Sequence, residues 1–360
     1  MSNPAVETIL DKAVAGQRLS SDEALGLLES EDLLPLGQAA RQVAHRHHPE
    51  GVVTYIVDRN VNYSNVCSAV CTFCAFYRTR GHKEAYVLTR EEIYEKIDEL
   101  ASMDGRQVLM QGGLHPDLPL AFYEELLSDL KARYPQINLH AFSPPEIINF
   151  ATLYDLSVRE VIGRMHEAGL GSIPGGGAEI LVDSVRKRIS HGKCTSAEWL
   201  EVMETAHELG LRTTATMMFG HVETLADRVE HLMALRELQD RTGGFTAFIC
   251  WTFQPDNTPL GSRLNYQRTT SHEYLKTQAV ARLVLDNIDN VQTSWVTQGE
   301  EIGQLALLFG ANDFGGTMLE ENVVSAAGAC YDVPEERIRD LIAEAGFTPK
   351  RRTTFYELLE

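Results

Sequence analysis

The chain has 360 residues, 44% of them apolar, with a formal net charge of −19 and a pI near 5.1. That length can bury a sizeable core, either as two ordinary domains or as one large α/β barrel with extensions. So acidic a composition offers no clustered Lys and Arg for a phosphate groove, no apolar run approaches the roughly 18 residues a membrane span needs, and the opening Met-Ser-Asn-Pro-Ala-Val-Glu lacks the basic and apolar parts of a signal peptide. Neither nucleic acid nor membrane is expected as a partner, and a cytoplasmic location is expected.

Residues 1–50 read as an N-terminal helical extension. Ser20-x-x-Glu23 is a capping box opening the apolar-periodic stretch 24–28, and a second helix is expected over 36–45. From residue 52, apolar and β-branched runs alternate with helical patterns. Strands are expected at 52–57, 107–111, 137–142, 170–173, 212–219, 245–253 and 291–296, with a weaker one at 314–318. Eight strands with helices between them predict a parallel sheet closed as a (β/α)8 TIM-type barrel over 51–319. Thr89-x-x-Glu92 and Thr195-x-x-Glu198 mark two of the helix starts. Residues 320–360 read as two further helices and a tail packed on the barrel, and no repeat, low-complexity tract or linker divides the chain.

The loop after the first strand carries Cys67, Cys71 and Cys74 as Cys-Ser-Ala-Val-Cys-Thr-Phe-Cys. Three thiolates on one loop can hold three irons of a 4Fe-4S cluster and leave the fourth open to a small molecule. A closed electron-transfer cluster calls for a fourth cysteine nearby, whereas Cys194, Cys250 and Cys330 lie far off. A zinc site calls for a second Cys-x-x-Cys or a His pair. The other unusual residues also follow strand ends, where a parallel barrel keeps its chemistry: Gly112-Gly113, Ser143-Pro-Pro-Glu146, Gly175-Gly-Gly-Ala-Glu179 and Gly220-His-Val-Glu223. Taken alone, Gly112-Gly113 reads equally as a turn needing positive φ, and Glu179 as a solvated helix-start glutamate. His45, His47 and His48 read as solvated or capping, and His115 and His221 as satisfied polar groups. Cys250, Met217 and Met218 read as core.

The Cys-x3-Cys-x2-Cys pattern with Phe73 before the third cysteine resembles the signature of the radical S-adenosylmethionine (SAM) superfamily. Residues 55–67 (Tyr-Ile-Val-Asp-Arg-Asn-Val-Asn-Tyr-Ser-Asn-Val-Cys), Gln111-Gly-Gly-Leu-His-Pro, Phe142-Ser-Pro-Pro-Glu and Pro174-Gly-Gly-Gly-Ala-Glu resemble its futalosine branch, which serves menaquinone biosynthesis. Within that branch, Tyr55-Ile-Val-Asp-Arg-Asn and Phe76-Tyr-Arg resemble the cyclising members more than the sister aminodeoxyfutalosine synthases. The resemblance implies a 4Fe-4S cluster on Cys67, Cys71 and Cys74. It implies SAM contacts from Phe73, Gly112, Gly113, Ser143 and Glu179, with Glu223 structural. It also implies dehypoxanthine futalosine as the small-molecule substrate and reduced flavodoxin or ferredoxin as electron donor. The implied chemistry is abstraction of the ribose C4′ hydrogen by a 5′-deoxyadenosyl radical, followed by ring closure onto the benzoate. The sister synthase, a 4Fe-4S carrier without SAM turnover and a zinc-stabilised scaffold are the alternatives. No side chain is singled out as acceptor of the ring proton.

Overall fold

The computed structural model describes residues 4–264 and 268–359. The N-terminal extension is three helices, α1 Pro4–Val14, α2 Ser21–Glu29 and α3 Leu33–His47. The Ser20 hydroxyl caps the Glu23 N–H at 3.2 Å while the Glu23 carboxylate returns to the Ser20 N–H at 2.7 Å. α3 packs on the helix Ser271–Val284, and its Gly37 is pressed so closely on Phe309 that a Cβ there would lie 2.7 Å from the ring. The capping boxes at Thr89 and Thr195 also form.

The strands are β1 Val52–Ile56, β2 Asp58–Val61, β3 Gln107–Met110, β4 Asn138–Ala141, β5 Ser172–Ile173, β6 Arg212–Phe219, β7 Phe245–Thr252, β8 Asn290–Gln292, β9 Asp313–Gly316 and β10 Thr348–Arg351. All pair in parallel, in the order β10-β1-β9-β8-β7-β6-β5-β4-β3-β2. β1 and β2 are one run of chain interrupted only at Val57. Its lower part bonds to β9 and its upper part to β3, so the sheet closes on itself. With β1 and β2 counted as one and β10 set aside, the ten strands make the eight expected of the barrel.

Three expectations are corrected. The first strand does not stop at residue 57 but continues through Asp58, Arg59 and Asn60, all buried, because Asp58 and Asn60 turn into the barrel while Arg59, on the other face, is taken by Glu99 and Glu320. The run 291–296 is a strand only to Gln292; Trp295–Gln298 is a helical turn, entered where the Ser294 N–H is taken by the Tyr274 hydroxyl at 2.9 Å. Among the described residues of the expected C-terminal pair of helices over 320–360 there is one helix, Glu335–Glu344, followed by β10 rather than a second helix. Thr348-Pro-Lys-Arg has no strand pattern of its own; it is held extended by pairing with β1 and by Arg352 just beyond it.

Arg352 fixes that segment. Its N–H donates to Tyr55 O at 2.9 Å, and its guanidinium grips Asp313 through Nε (2.5 Å) and Nη2 (2.9 Å). Asp313 also receives the Thr54 hydroxyl at 2.5 Å and is fully buried. Removing one partner of such a pair leaves an uncompensated buried charge, which costs about 3–5 kcal/mol. Arg352→Met is accordingly expected to lower stability by about that amount in urea unfolding, and Asp313→Asn added to it should recover part of the loss.

Candidate functional site

The strands' C-terminal ends open into a cavity of about 390 Å³ that runs from the cysteine loop down into the barrel. Its mouth is lined by the three cysteines, Phe73, Gly112, Gly113, Ser143, Gly175–Gly177, Glu179 and Lys193. Every site residue expected from the sequence therefore borders one space.

The cysteine loop is clamped from both sides by glycines. A Cβ on Gly113 would lie 2.2 Å from Val66 O and 2.8 Å from the Cys67 Cβ, and one on Gly192 would lie 2.6 Å from Ala69 O. Neither Gly112 nor Gly113 has positive φ, so close approach, and not turn geometry, is what demands them. Gly112 is covered by the Tyr63 ring, 2.4 Å from where its Cβ would stand, and its N–H donates to Glu146 at 3.1 Å. Thr72 donates its N–H to Ile189 O at 2.8 Å, tying the loop to the helix Asp183–Ile189. Val70, at φ 49 and exposed, makes the bend that returns Cys71 to the interior.

Burial pushes the Cys71 thiol up to about 12, against the pull of Lys193, and pushes Cys74 up as well. Leu114 N–H points at Cys67 Sγ at 3.3 Å. Buried thiols of this kind become thiolates when a soft metal takes them, which fits iron. Among the described residues no three His, Cys, Asp or Glu side chains converge on a single-ion point.

Glu179, 3% exposed and at φ 44, is not a solvated helix-start residue. Its carboxylate meets Lys193 Nζ at 2.6 Å, and the ammonium lies 5.1 Å from the centre of the Phe73 ring. Burial opposes both charges, yet the pair keeps Glu179 below the usual carboxylate range and Lys193 above the usual ammonium range. Sequence reading missed Lys193 and Gly192, since His-Gly-Lys-Cys carries no recognisable motif. Ser143 caps its helix with Glu146, the hydroxyl donating to Oε2 at 2.7 Å. Gly175 is held by Thr214, whose hydroxyl accepts its N–H at 2.9 Å.

Glu223 is structural, as expected. It accepts from Gly220 N (2.6 Å), His221 N (2.8 Å) and Arg228 Nε (2.9 Å). His221 lies against Glu223 and Met218 O, and His115 Nδ1 accepts from Asp117 and Leu118 N–H, so both are satisfied polar groups. His47 and His48 pair with Asp289, the first through its carboxylate and the second through its carbonyl. Deeper in the cavity lie residues the sequence did not flag: Asp58, Gln107, His140, Arg352, Thr354 and Tyr356. The signal for Asp58 was available, because Asp58 and Asn60 alternate inward on a strand.

Comparison with known proteins agrees with this picture. The radical SAM superfamily profile matches residues 61–235 and the CofH/MqnC C-terminal region matches 242–360. The cyclic dehypoxanthine futalosine synthase of Halalkalibacterium halodurans is 48% identical over 99% of this chain and 95% of its own. That of Streptomyces coelicolor is 44% identical over 98% and 89%. A 5-amino-6-(D-ribitylamino)uracil–L-tyrosine 4-hydroxyphenyl transferase of Methanosarcina barkeri is 40% identical over 99% and 95%. Among solved structures, methylornithine synthase superposes with a TM-score of 0.74 at 20% identity, covering 95% of this chain and 97% of its own, a likeness of fold.

Cys67→Ala, Cys71→Ala and Cys74→Ala are each expected to abolish SAM cleavage after anaerobic reconstitution, while Cys194→Ala and Cys250→Ala keep close to four irons and four sulfides per chain. Iron and sulfide analysis together with a 5′-deoxyadenosine assay checks this, and SAM cleavage at the normal rate in Cys71→Ala would overturn the cluster assignment.

Proposed function

The chain belongs to the radical SAM superfamily, in the group sharing the CofH/MqnC C-terminal region, and from that premise we propose that it is the cyclase converting dehypoxanthine futalosine to cyclic dehypoxanthine futalosine in menaquinone biosynthesis. The observation that carries this reading is 48% identity along essentially the whole chain to a synthase of that name. The protein is an enzyme that uses a 4Fe-4S cluster and SAM. When bound, these supply a 5′-deoxyadenosyl radical through one-electron cleavage of the S–C5′ bond.

Cys67, Cys71 and Cys74 would hold three irons of the cluster, on a loop whose path the close approach of Gly113 and Gly192 fixes. Glu179, kept ionised by Lys193, would accept hydrogen bonds from the ribose or amine of SAM. Gly112 and Gly113, with Phe73 and Ser143 on the same cavity wall, would let the backbone approach the methionine end of SAM. The walls orient the substrate so that its C4′ hydrogen is nearest, because a primary carbon radical takes whichever hydrogen is closest, and they exclude water. C4′ then closes on the benzoate ring, and one proton and one electron are lost. A reduced flavodoxin or ferredoxin supplies the electron, and the enzyme works in the cytoplasm. Among the described residues no helix is long and apolar enough to cross a membrane.

The hydroxyphenyl transferases at 40% identity make a second reading, and the sister aminodeoxyfutalosine synthase a third. With C4′-deuterated dehypoxanthine futalosine, the cyclase transfers the label to 5′-deoxyadenosine. The sister reaction bonds its radical to an enol ether and releases no labelled 5′-deoxyadenosine. Mass analysis showing a covalent adenosyl adduct, or turnover of tyrosine with the ribitylaminouracil in place of the futalosine substrate, would displace the cyclase reading.

Glu179→Ala is expected to weaken SAM binding by about 1.5–3 kcal/mol while iron content is unchanged, since the lost bonds are to the ligand and charge-assisted. Unaltered SAM affinity by equilibrium dialysis would remove Glu179 from the SAM site.

A further inference from the structure

Ring closure on an arene ends with loss of a proton, and the cavity offers few groups to take it. Four carboxylates line it: Asp58, Glu146, Glu179 and Glu321. Glu146 is committed to Ser143 N and Oγ, the Tyr63 hydroxyl and Gly112 N, all within 2.7–3.1 Å. Glu179 is held by Lys193. Glu321 folds back on the N–H groups of Val323, Val324 and Ser325.

Asp58 differs from all three. It accepts one hydrogen bond at each oxygen, from Met318 N at 2.8 Å and Gln107 Nε2 at 3.1 Å, and among the described residues no cation stands within ion-pair distance of it. Each oxygen therefore keeps a lone pair. The absence of a side chain at Gly316 makes room for the group, since a Cβ there would fall 2.1 Å from Oδ1. Asp58 opens β2 and pairs with Gln107 at the start of β3, below the strand ends that carry the cysteine loop. Asp58 and the cysteine loop border the same cavity, so a substrate that fills it from the mouth inward meets both.

The nearby imidazole is a poor rival. His140 Nδ1 is engaged by the Ser172 hydroxyl at 2.6 Å, and burial, with Arg352, pushes its pKa down to about 3. Burial pushes the Asp58 carboxyl up to about 6, against Met318 N–H, Arg352 and Gln107, and so toward the range where a base works best near neutrality.

We propose that Asp58 is the base that accepts the ring proton when the cyclised ring regains aromaticity. The C–H bond at the attacked ring carbon breaks, its electron pair returns to the ring and the proton bonds to an Asp58 oxygen. The one electron in excess of the aromatic sextet leaves to an oxidised carrier of the flavodoxin or ferredoxin class. This assignment rests on the cyclase reading.

The test uses the cluster-loaded enzyme with SAM, reductant and C4′-deuterated substrate. Asp58→Asn is expected to transfer deuterium to 5′-deoxyadenosine as the parent enzyme does, while the cyclised aromatic product falls by about 100-fold or more. Asp58→Ala, which opens space for a small acid, should behave in the same way and regain product on addition of formate. Product at the parent rate in Asp58→Asn overturns the proposal, as does label transfer in Asp58→Ala that formate never converts to product. Loss of label transfer in step with product in both variants also overturns it, because Asp58 then serves binding or folding. Failure of the unsubstituted enzyme to take the C4′ label overturns the cyclase reading and the proposal with it; if only the proposal fails, that transfer remains intact.

Discussion

One run of chain, residues 52–61, has to satisfy both edges of the sheet. Its lower part bonds to β9 and β10 and its upper part to β3, so a single extended segment closes the barrel and then leads into the cysteine loop. Closure joins the eight barrel strands edge to edge and leaves β10, paired only to β1, as the outer strand. It also fixes the origin of the loop, because the cysteines follow directly from the strand on which the ring of hydrogen bonds closes. Position of the cluster site and integrity of the fold are therefore one constraint.

The site built on that seam is held largely by what glycines leave out. Gly113 and Gly192 admit the loop from either side, and Gly316 admits the Asp58 carboxylate. Charge is handled by pairing across elements: Lys193 with Glu179 at the mouth, and Arg352 with Asp313 lower down. These pairs cost desolvation, and specific placement of charge is what they give in return. Among the described residues Asp58, Glu146 and Glu321 line the cavity without an ion-pair partner; Asp58 accepts the fewest hydrogen bonds of the three, and burial raises its carboxyl.

Much of this was legible in the sequence, and what was not has physical reasons. The spacing of Cys67, Cys71 and Cys74 is local, so it could be read without a fold, and capping boxes such as Thr89-x-x-Glu92 were equally local. The strands were legible where they were apolar. Asp58 to Val61 was passed over as a polar stretch because barrel interiors near a site reverse the usual polarity. β10 was missed because its extended form comes from a partner strand far away in sequence. Lys193 and Arg352 had no signal at all: their roles exist only once Glu179 and Asp313 are brought within 2.6 Å and 2.5 Å of them.

The lower wall of the cavity is contributed by Arg352, Thr354 and Tyr356, far downstream of the cysteines. During synthesis, the thiols that receive iron leave the ribosome early and the residues that complete the pocket leave it late. A nascent chain can thus present its cysteines before it possesses a vessel in which a radical could be contained. The order of translation therefore makes the cysteines available before the residues that complete the pocket's lower wall.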